Sequence, residues 1–193
     1  MKLTNPAPRR PMHARTVQCD GYLRDDGLWD IEASIIDRKP FPYTEPLRGP
    51  RQVGSEVHHM EIRLTIGDDM VVRAIEVVMA STPYPVCTDA IANYQGLVGR
   101  RIDGGWRATV NAVVGADRGC THARELLFPL ATTAFQTIYG WREGSNQLPR
   151  EADKGNKPPF IGGCIGWATA GPMVARFYPQ FSTAPVSAAP AHE

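Results

Sequence analysis

The sequence predicts an α+β fold in which two amino-terminal hairpins form one antiparallel sheet and helices cover that sheet. Two observations lead to this prediction. The first half of the chain alternates apolar and polar residues, whereas the second half contains a long segment with apolar residues at helical spacing. Strands come first and helices follow, an order typical of α+β domains rather than of alternating α/β domains.

The first predicted hairpin joins a strand at residues 17–24 to a strand at residues 28–38. Asp25, Asp26 and Gly27 lie between them, and these residue types tolerate the backbone conformations of a tight turn. In the second strand apolar residues alternate with polar ones, and the apolar set is Trp29, Ile31, Ala33 and Ile35. This alternation predicts a strand with one face in the core.

The second predicted hairpin pairs residues 57–66 with residues 70–80, and a loop at residues 39–54 connects it to the first. His58 shares its strand face with Met60, Ile62, Leu64 and Ile66, whereas His59 points to the other face. An imidazole on an apolar face needs a hydrogen-bonding partner. His58 is therefore either a core histidine with such a partner or a catalytic base.

The longest predicted helix covers residues 121–138. Thr121 is a favourable N-cap type because its hydroxyl can accept from the free amides of the first turn. His122 opens the apolar stripe of this helix, which continues through Leu126, Leu127, Leu130, Ala131, Ala134, Phe135 and Ile138. Cys120 immediately precedes the helix, where the partial positive charge of a helix start favours an anion. A shorter helix is predicted at residues 87–98.

Length and composition favour one domain with appendages. We expect a flexible arm at residues 1–15, a single α+β domain at 16–180 and a disordered tail at 181–193. The net charge of +1 gives no electrostatic reason to expect nucleic acid or a membrane as a partner. No apolar run follows the basic start of the chain, so we expect a cytoplasmic protein.

Four cysteines are too few for a disulfide framework, and a reducing compartment would keep them as thiols. Cys87, Cys120 and His122, with Cys164 as a fourth ligand, would make a tetrahedral Zn²⁺ site if the fold brought them together. The alternative is a set of independent buried thiols, since free cysteine is among the most buried residue types.

Several side chains could support acid-base chemistry, namely His58, His59, His122, Asp30, Glu32 and Glu125. Asp30 and Glu32 share one strand face, where they would either pair with arginines such as Arg63 and Arg73, the expected arrangement, or raise each other's pKa. Aromatic residues near loops would form walls suited to an aromatic ligand, and the predicted substrate contacts are Trp29, Tyr43, Tyr84 and Trp106.

Several motifs together resemble a bacterial family known only as a domain of unknown function. The resemblance covers about residues 17–180. Its motifs are Asp20-Gly21, residues 29–33 with Asp37, residues 57–60 and 63–66, Pro83-Tyr84 with Cys87, Leu97 with Gly99, Gly105-Trp106, residues 119–122 with 125–127, Lys157-Pro158, Cys164 and Tyr178-Pro179.

The middle of the chain is also similar to the iron-sulfur scaffold and sulfur-acceptor fold. Cys87 and the residues after it resemble the first ligand helix of that scaffold, and Cys120 with His122 resembles the last. The scaffold carries its middle cysteine where this chain has residues 102–106, which contain no thiol. The similarity therefore implies the fold, with a zinc-bound or vacant site, rather than cluster assembly.

Some relatives in the unknown-function family are associated with bacterial breakdown of lignin-derived aromatics, including loss of a hydroxymethyl group as formaldehyde. This association implies a lyase that needs no redox cofactor. An ionised phenol would form a quinone methide, His58 or His59 would take the proton of a primary alcohol, and His122 would lie near the developing oxyanion. Such an enzyme needs an aromatic pocket and a cation or metal near the phenolate.

The alternative function is a non-catalytic scaffold or binding protein that carries metal or sulfur on Cys87 and Cys120. Formaldehyde release from phenolic dimers would distinguish the lyase from the scaffold. A homodimer is compatible with either function.

Overall fold

The computed structural model describes residues 3–145 and 155–185. Its long strands are β1 (Ala14–Leu23), β2 (Trp29–Arg38), β5 (Glu56–Ile66) and β6 (Val72–Ser81), and the short strands between them are β3 (Tyr43–Glu45) and β4 (Gly49–Arg51). The long strands form one antiparallel sheet in the order β1-β2-β5-β6, and β3 pairs with β4 separately. The predicted α+β class with an antiparallel sheet is confirmed.

One face of the sheet is buried and the other meets solvent. In β2 and in most of β5, buried apolar residues alternate with more exposed polar ones. The register pairs Ile31 with Leu64 and Ala33 with Ile62, so the apolar sets of the two strands share one face. The predicted ends of the four long strands lie within three residues of the observed ones.

The loop predicted at residues 39–54 contains the β3–β4 hairpin, which sequence analysis missed because these strands have three residues each. Arg48, between the two strands, pairs with the buried carboxylate of Glu45. Arg48 also donates to Ser81 Oγ at 2.8 Å and to the Val57 carbonyl at 3.1 Å. These bonds fasten the hairpin to the start of β5 and to the end of β6.

Helical segments occupy the second half of the chain. The three longest are a 3₁₀ segment (Pro85–Leu97), α1 (Trp106–Val114) and α2 (Thr121–Ser145). All three contribute buried residues to the same hydrophobic core as β2, β5 and β6. The long helix begins at Thr121 as predicted and continues through Pro129 to Ser145, beyond the predicted end at residue 138.

β1 and α2 approach each other closely at one residue pair. A Cβ atom placed on Gly21 of β1 would lie 2.0 Å from Oγ1 of Thr137 on α2. Glycine is therefore required at this position for the helix to pack this closely. A larger residue at position 21 would therefore clash with Thr137 unless the helix or the strand moved.

The chain divides into two compact units, Met1–Gly140 and Trp141–Glu193. The first unit contains the sheet and its core. The second contains α3 (Pro172–Phe177), two 3₁₀ turns (Ile165–Trp167 and Pro179–Phe181), and a small cluster of its own built on Ile161, Val174 and Tyr178. The single domain predicted at 16–180 spans the boundary between these two units and stays a prediction.

The predicted terminal segments overlap the described chain only in part. β1 begins at Ala14, so the last two residues of the arm expected at residues 1–15 belong to the sheet. From residue 186 onward, the tail predicted at 181–193 lies outside the described residues. Over residues 3–145 and 155–185, no helix has both the length and the apolar character needed to cross a membrane.

Leu126→Ala should lower the free energy of unfolding by about 2–5 kcal/mol, because Leu126 is 1% exposed and its truncation leaves a cavity. Leu47→Ala is the matched control, since Leu47 is 65% exposed and should lose less than about 0.5 kcal/mol. Urea unfolding measures both losses. Equal losses in the two variants would contradict the assignment of Leu126 to the core.

Candidate acid-base site

A buried carboxylate, Asp37, lies among four basic side chains. Its side chain is 1% exposed. Arg15 donates to both of its oxygens, from Nε to Oδ1 at 2.7 Å and from Nη2 to Oδ2 at 2.8 Å. His13 Nε2 lies 3.1 Å from Oδ1, and His58 Nδ1 lies 3.0 Å from Oδ2. His122 Nε2 is 3.8 Å from Oδ2. These five residues are called the Asp37 cluster below.

Sheet register and one helix start bring the cluster together. Asp37 pairs with Arg15 across β1 and β2, and with His58 across β2 and β5. Paired residues on adjacent strands direct their side chains to the same face, here the face that carries the core. His122 comes from the first turn of α2, and its ring stacks on that of His58 with centroids 3.6 Å apart.

Asp37 is ionised in the folded protein. Burial alone would raise the pKa of this carboxyl, but hydrogen bonds from Arg15, His13 and His58, together with the charge of Arg15, lower the pKa far below its ordinary value. An ionised carboxylate only accepts hydrogen bonds, so Nδ1 of His58 donates to Oδ2. The lone pair of neutral His58 therefore resides on Nε2, the nitrogen left to accept a proton.

The surroundings of the two stacked imidazoles favour their neutral form. Burial lowers the pKa of His58 and the pKa of His122 below their ordinary value. The charge of Arg15 lowers both pKa values further, and Asp37 opposes these effects in both residues. His58 also lowers the pKa of His122. A neutral imidazole oriented by a carboxylate is the arrangement found in general bases.

His59, the second predicted base, occupies a different environment. It follows His58 in β5 and therefore points to the opposite face of the sheet. Its Nδ1 lies 2.9 Å from Glu56 and its Nε2 lies 3.1 Å from Glu61. Both ring nitrogens thus contact carboxylates outside the Asp37 cluster, and the structure separates His59 from His58 and His122.

A metal ion is the competing occupant of the Asp37 cluster. Within the described part of the chain, Asp37, His58 and His122 are the group whose metal-ligating atoms all lie within 4.8 Å of one another. Both oxygens of Asp37 already accept from Arg15, whose positive charge opposes a cation at the same carboxylate. Nδ1 of His58 is occupied as a donor as well. The contacts as they stand favour acid-base chemistry.

The ligand set predicted from the sequence does not come together as such a group. Over the described residues, no group of ligand atoms within 4.8 Å of one another contains Cys87 and Cys120 with His122. The imidazole of His122 instead stacks on His58 over the sheet. Cys164 is exposed and belongs to the second unit. All four cysteines are free thiols.

Two of the four predicted aromatic contacts are core residues. Trp29 and Trp106 are almost fully buried, and their indole N–H groups donate to Asp68 at 2.9 Å and to the Leu127 carbonyl at 2.8 Å. Indoles packed in this way offer no open wall to a ligand, which corrects their assignment to a substrate pocket. Tyr84 is exposed just before the 3₁₀ segment.

Tyr43, the remaining predicted aromatic contact, belongs to the connection between two cluster residues. Asp37 lies near the end of β2 and His58 near the start of β5, and the β3–β4 hairpin lies between these strands in sequence. Tyr43 is partly buried in that hairpin, and Lys39 Nζ lies 4.5 Å from its ring centroid. The segment between β2 and β5 therefore contains both the aromatic ring of Tyr43 and the ammonium group of Lys39.

The solvent-facing side of the sheet carries paired carboxylates. Arg63 bonds Glu32 at 2.7 Å and Glu76 at 3.0 Å, and Asp30 accepts from Thr65 at 2.6 Å. A concavity of about 270 Å³ on this face includes Glu32, Glu76 and Arg63 in its lining. The predicted pairing of Glu32 with Arg63 is confirmed, and we interpret this surface as a solvated sheet face.

Sequence analysis missed three of the five cluster residues, namely Asp37, Arg15 and His13. The signal for Asp37 was present, because the alternation of β2 carries the core face from Trp29 through Ile35 to position 37. A carboxylate at the end of an apolar face requires a buried partner. Arg15 and His13 gave no comparable signal, since they lie in a segment whose prolines and basic residues predict a flexible arm.

A family model described as "Protein of unknown function (DUF2889)" matches residues 13–136. The chain belongs to the DUF2889 family. The part that matches DUF2889 begins at His13 and contains the whole Asp37 cluster, whereas Cys164 lies beyond it. Comparisons with curated proteins and with solved structures gave no significant match, so no solved structure supports the predicted similarity to the iron-sulfur scaffold.

Two substitutions in this DUF2889 protein should move the pKa of His58 in opposite directions. Asp37→Asn removes a charge that raises the pKa of His58 and should lower it, whereas Arg15→Gln removes a cation that lowers it and should raise it. NMR titration of the His58 ring measures both shifts. Shifts of the same sign, or no shift in either variant, would contradict the described electrostatics.

Proposed function

We propose that the protein is a small-molecule lyase that needs no redox cofactor and cleaves a carbon–carbon bond in a phenolic, lignin-derived aromatic, releasing formaldehyde. His58 is the general base, Asp37 orients it, and His122 lies near the developing oxyanion. The observation that carries this proposal is the contact between Nδ1 of His58 and the buried, ionised carboxylate of Asp37. This contact directs the basic lone pair of His58 to Nε2.

The exposure of these side chains to solvent supports the same assignment of roles to Asp37, His58 and His122. The side chain of Asp37 is almost fully buried, whereas those of His58 and His122 are partly exposed. The orienting carboxylate is thus inside the protein while both imidazoles can reach a substrate. Stacking of the two rings lets one ligand contact both of them.

The proposed reaction has two steps that balance without an oxidant or a reductant. First, the phenolate oxygen pushes an electron pair into the ring, and the bond from the benzylic carbon to its oxygen substituent breaks, which gives a quinone methide. His122 donates a hydrogen bond to the departing oxygen, which takes up one proton from solvent water. The net loss in this step is one molecule of alcohol or water.

In the second step, Nε2 of His58 takes the proton of the primary alcohol. The bond to the hydroxymethyl carbon breaks, formaldehyde leaves, and the electron pair of that bond forms a new carbon–carbon double bond. The ring regains its aromaticity and its phenolate oxygen. His58 then releases this proton to the solvent, which balances the proton taken up by the departing oxygen, so both imidazoles return to their neutral starting state.

The alternative proposal is a non-catalytic protein that carries metal or sulfur, as the iron-sulfur scaffold similarity implies. The convergence of Asp37, His58 and His122 favours metal in this alternative more than the separate cysteines do. Metal analysis of protein purified without chelators or nickel affinity resin distinguishes the two proposals. Stoichiometric Zn²⁺ without formaldehyde release would favour the alternative.

His58→Gln should abolish formaldehyde release from phenolic dimers that bear a primary alcohol, and should lower the free energy of unfolding by less than about 2 kcal/mol. Glutamine keeps a donor for Asp37 but cannot take a proton near neutral pH. His59→Gln is the matched control, because His59 bonds Glu56 and Glu61 outside the cluster. A colorimetric formaldehyde assay and thermal unfolding measure the two effects.

The two variants together test whether His58 is the base. Loss of turnover in His58→Gln with retention in His59→Gln supports the proposed base. Full turnover in His58→Gln would contradict the role of His58. Absence of formaldehyde from the wild-type protein across such dimers would contradict the lyase itself.

A further inference from the structure

We propose that Arg15 binds the ionised phenol oxygen of the substrate, and this assignment rests on the lyase proposed above. The lyase needs a cation near the phenolate, because a phenol ordinarily ionises near pH 10 and must be stabilised as an anion at neutral pH. Sequence analysis left that cation unassigned. Arg15 supplies it within the Asp37 cluster.

The contact with Asp37 fixes one edge of the Arg15 guanidinium and leaves the rest for another acceptor. The two bonds come from Nε and Nη2, at 2.7 and 2.8 Å. A planar guanidinium held in this way has its orientation set, while Nη1 takes no part in the contact with Asp37. The side chain of Arg15 is 42% exposed, whereas that of Asp37 is 1% exposed. An incoming anion can therefore reach the arginine and not the carboxylate.

Arg15 is the permanent cation of the Asp37 cluster. The guanidinium keeps its charge at every physiological pH, whereas the imidazoles of His58 and His122 are held in their neutral form by their surroundings. A phenolate bound at this cluster would thus be paired with Arg15 rather than with an imidazole. His58 then remains free to act as a base.

One atom holds both groups that the reaction requires. Oδ2 of Asp37 accepts from Nη2 of Arg15 at 2.8 Å and from Nδ1 of His58 at 3.0 Å. The cation for the phenolate and the base for the alcohol are therefore fixed relative to each other by a single buried oxygen. A phenolic substrate with a side-chain alcohol is the chemical class that uses both groups at once.

Binding of a simple chromophoric probe tests this inference without turnover. The probe is 4-nitrophenolate, which is ionised under mildly alkaline conditions, and its neutral counterpart is the methyl ether 4-nitroanisole. We expect the wild-type protein to bind the phenolate at least about tenfold more tightly than the ether, since hydrogen bonds to an anion are about twice as strong as neutral ones. Absorbance titration or calorimetry measures both affinities.

Arg15→Gln should weaken 4-nitrophenolate binding by about tenfold or more and leave 4-nitroanisole binding unchanged. Arg24→Gln is the matched control, since Arg24 is exposed and pairs with Asp26 and Asp30, at the other end of β1. Circular dichroism checks that each variant is folded. Equal weakening in both variants, or none in Arg15→Gln, would overturn the inference.

The wild-type protein alone also tests the inference, should Arg15→Gln fail to fold. Equal affinities for 4-nitrophenolate and 4-nitroanisole would overturn it, and tighter binding of 4-nitrobenzoate than of 4-nitrophenolate would overturn the phenolate assignment. Failure of the lyase has a different signature, namely Arg15-dependent phenolate binding without formaldehyde release. Formaldehyde release with an unchanged KM in Arg15→Gln would retain the lyase and remove the role of Arg15.

Discussion

The site depends on one buried charge and on what that charge requires. Asp37 stands at the end of the apolar face of β2, where an uncompensated carboxylate would be strongly destabilising. The fold compensates it with a guanidinium and two imidazoles within hydrogen-bonding distance, and these partners keep the carboxyl ionised despite its burial. The hydrogen bond between His58 and Asp37 therefore both stabilises this charge and orients the candidate base.

This requirement links elements that are distant in sequence. Arg15 comes from the start of the edge strand β1 and His13 from just before it, whereas His58 comes from β5 and His122 from α2. α2 approaches β1 closely at Gly21, and the β3–β4 hairpin lies in the connection between the strands that carry Asp37 and His58. The amino-terminal residues that look like an arm are thus part of the site.

Local sequence patterns were sufficient to predict the sheet and the start of the long helix, because alternation and helical spacing are properties of residues close in sequence. They also placed His58 on the core face and His59 opposite it, as observed. The grouping of His58 with Asp37 could not be predicted in this way, since it depends on strand register across a long connection. Trp29 and Trp106 were assigned to a pocket because they flank loops, yet core packing determines their positions. The cysteines are all potential metal ligands, but no local feature of the sequence predicts that they lie close together.

Asp37 is an ionised, buried carboxylate held by its basic partners. NMR titration of the Asp37 side-chain carboxyl carbon tests this ionisation state most directly, with Asp37→Asn used to assign the signal. We expect no protonation of Asp37 as the pH falls through about 3.9, the ordinary pKa of aspartate. Because this pKa is lowered by folding, its contribution to stability is complete above that pH and is lost only as the pH falls further. Protonation of Asp37 at or above its ordinary pKa would show that its basic partners do not keep the carboxylate ionised.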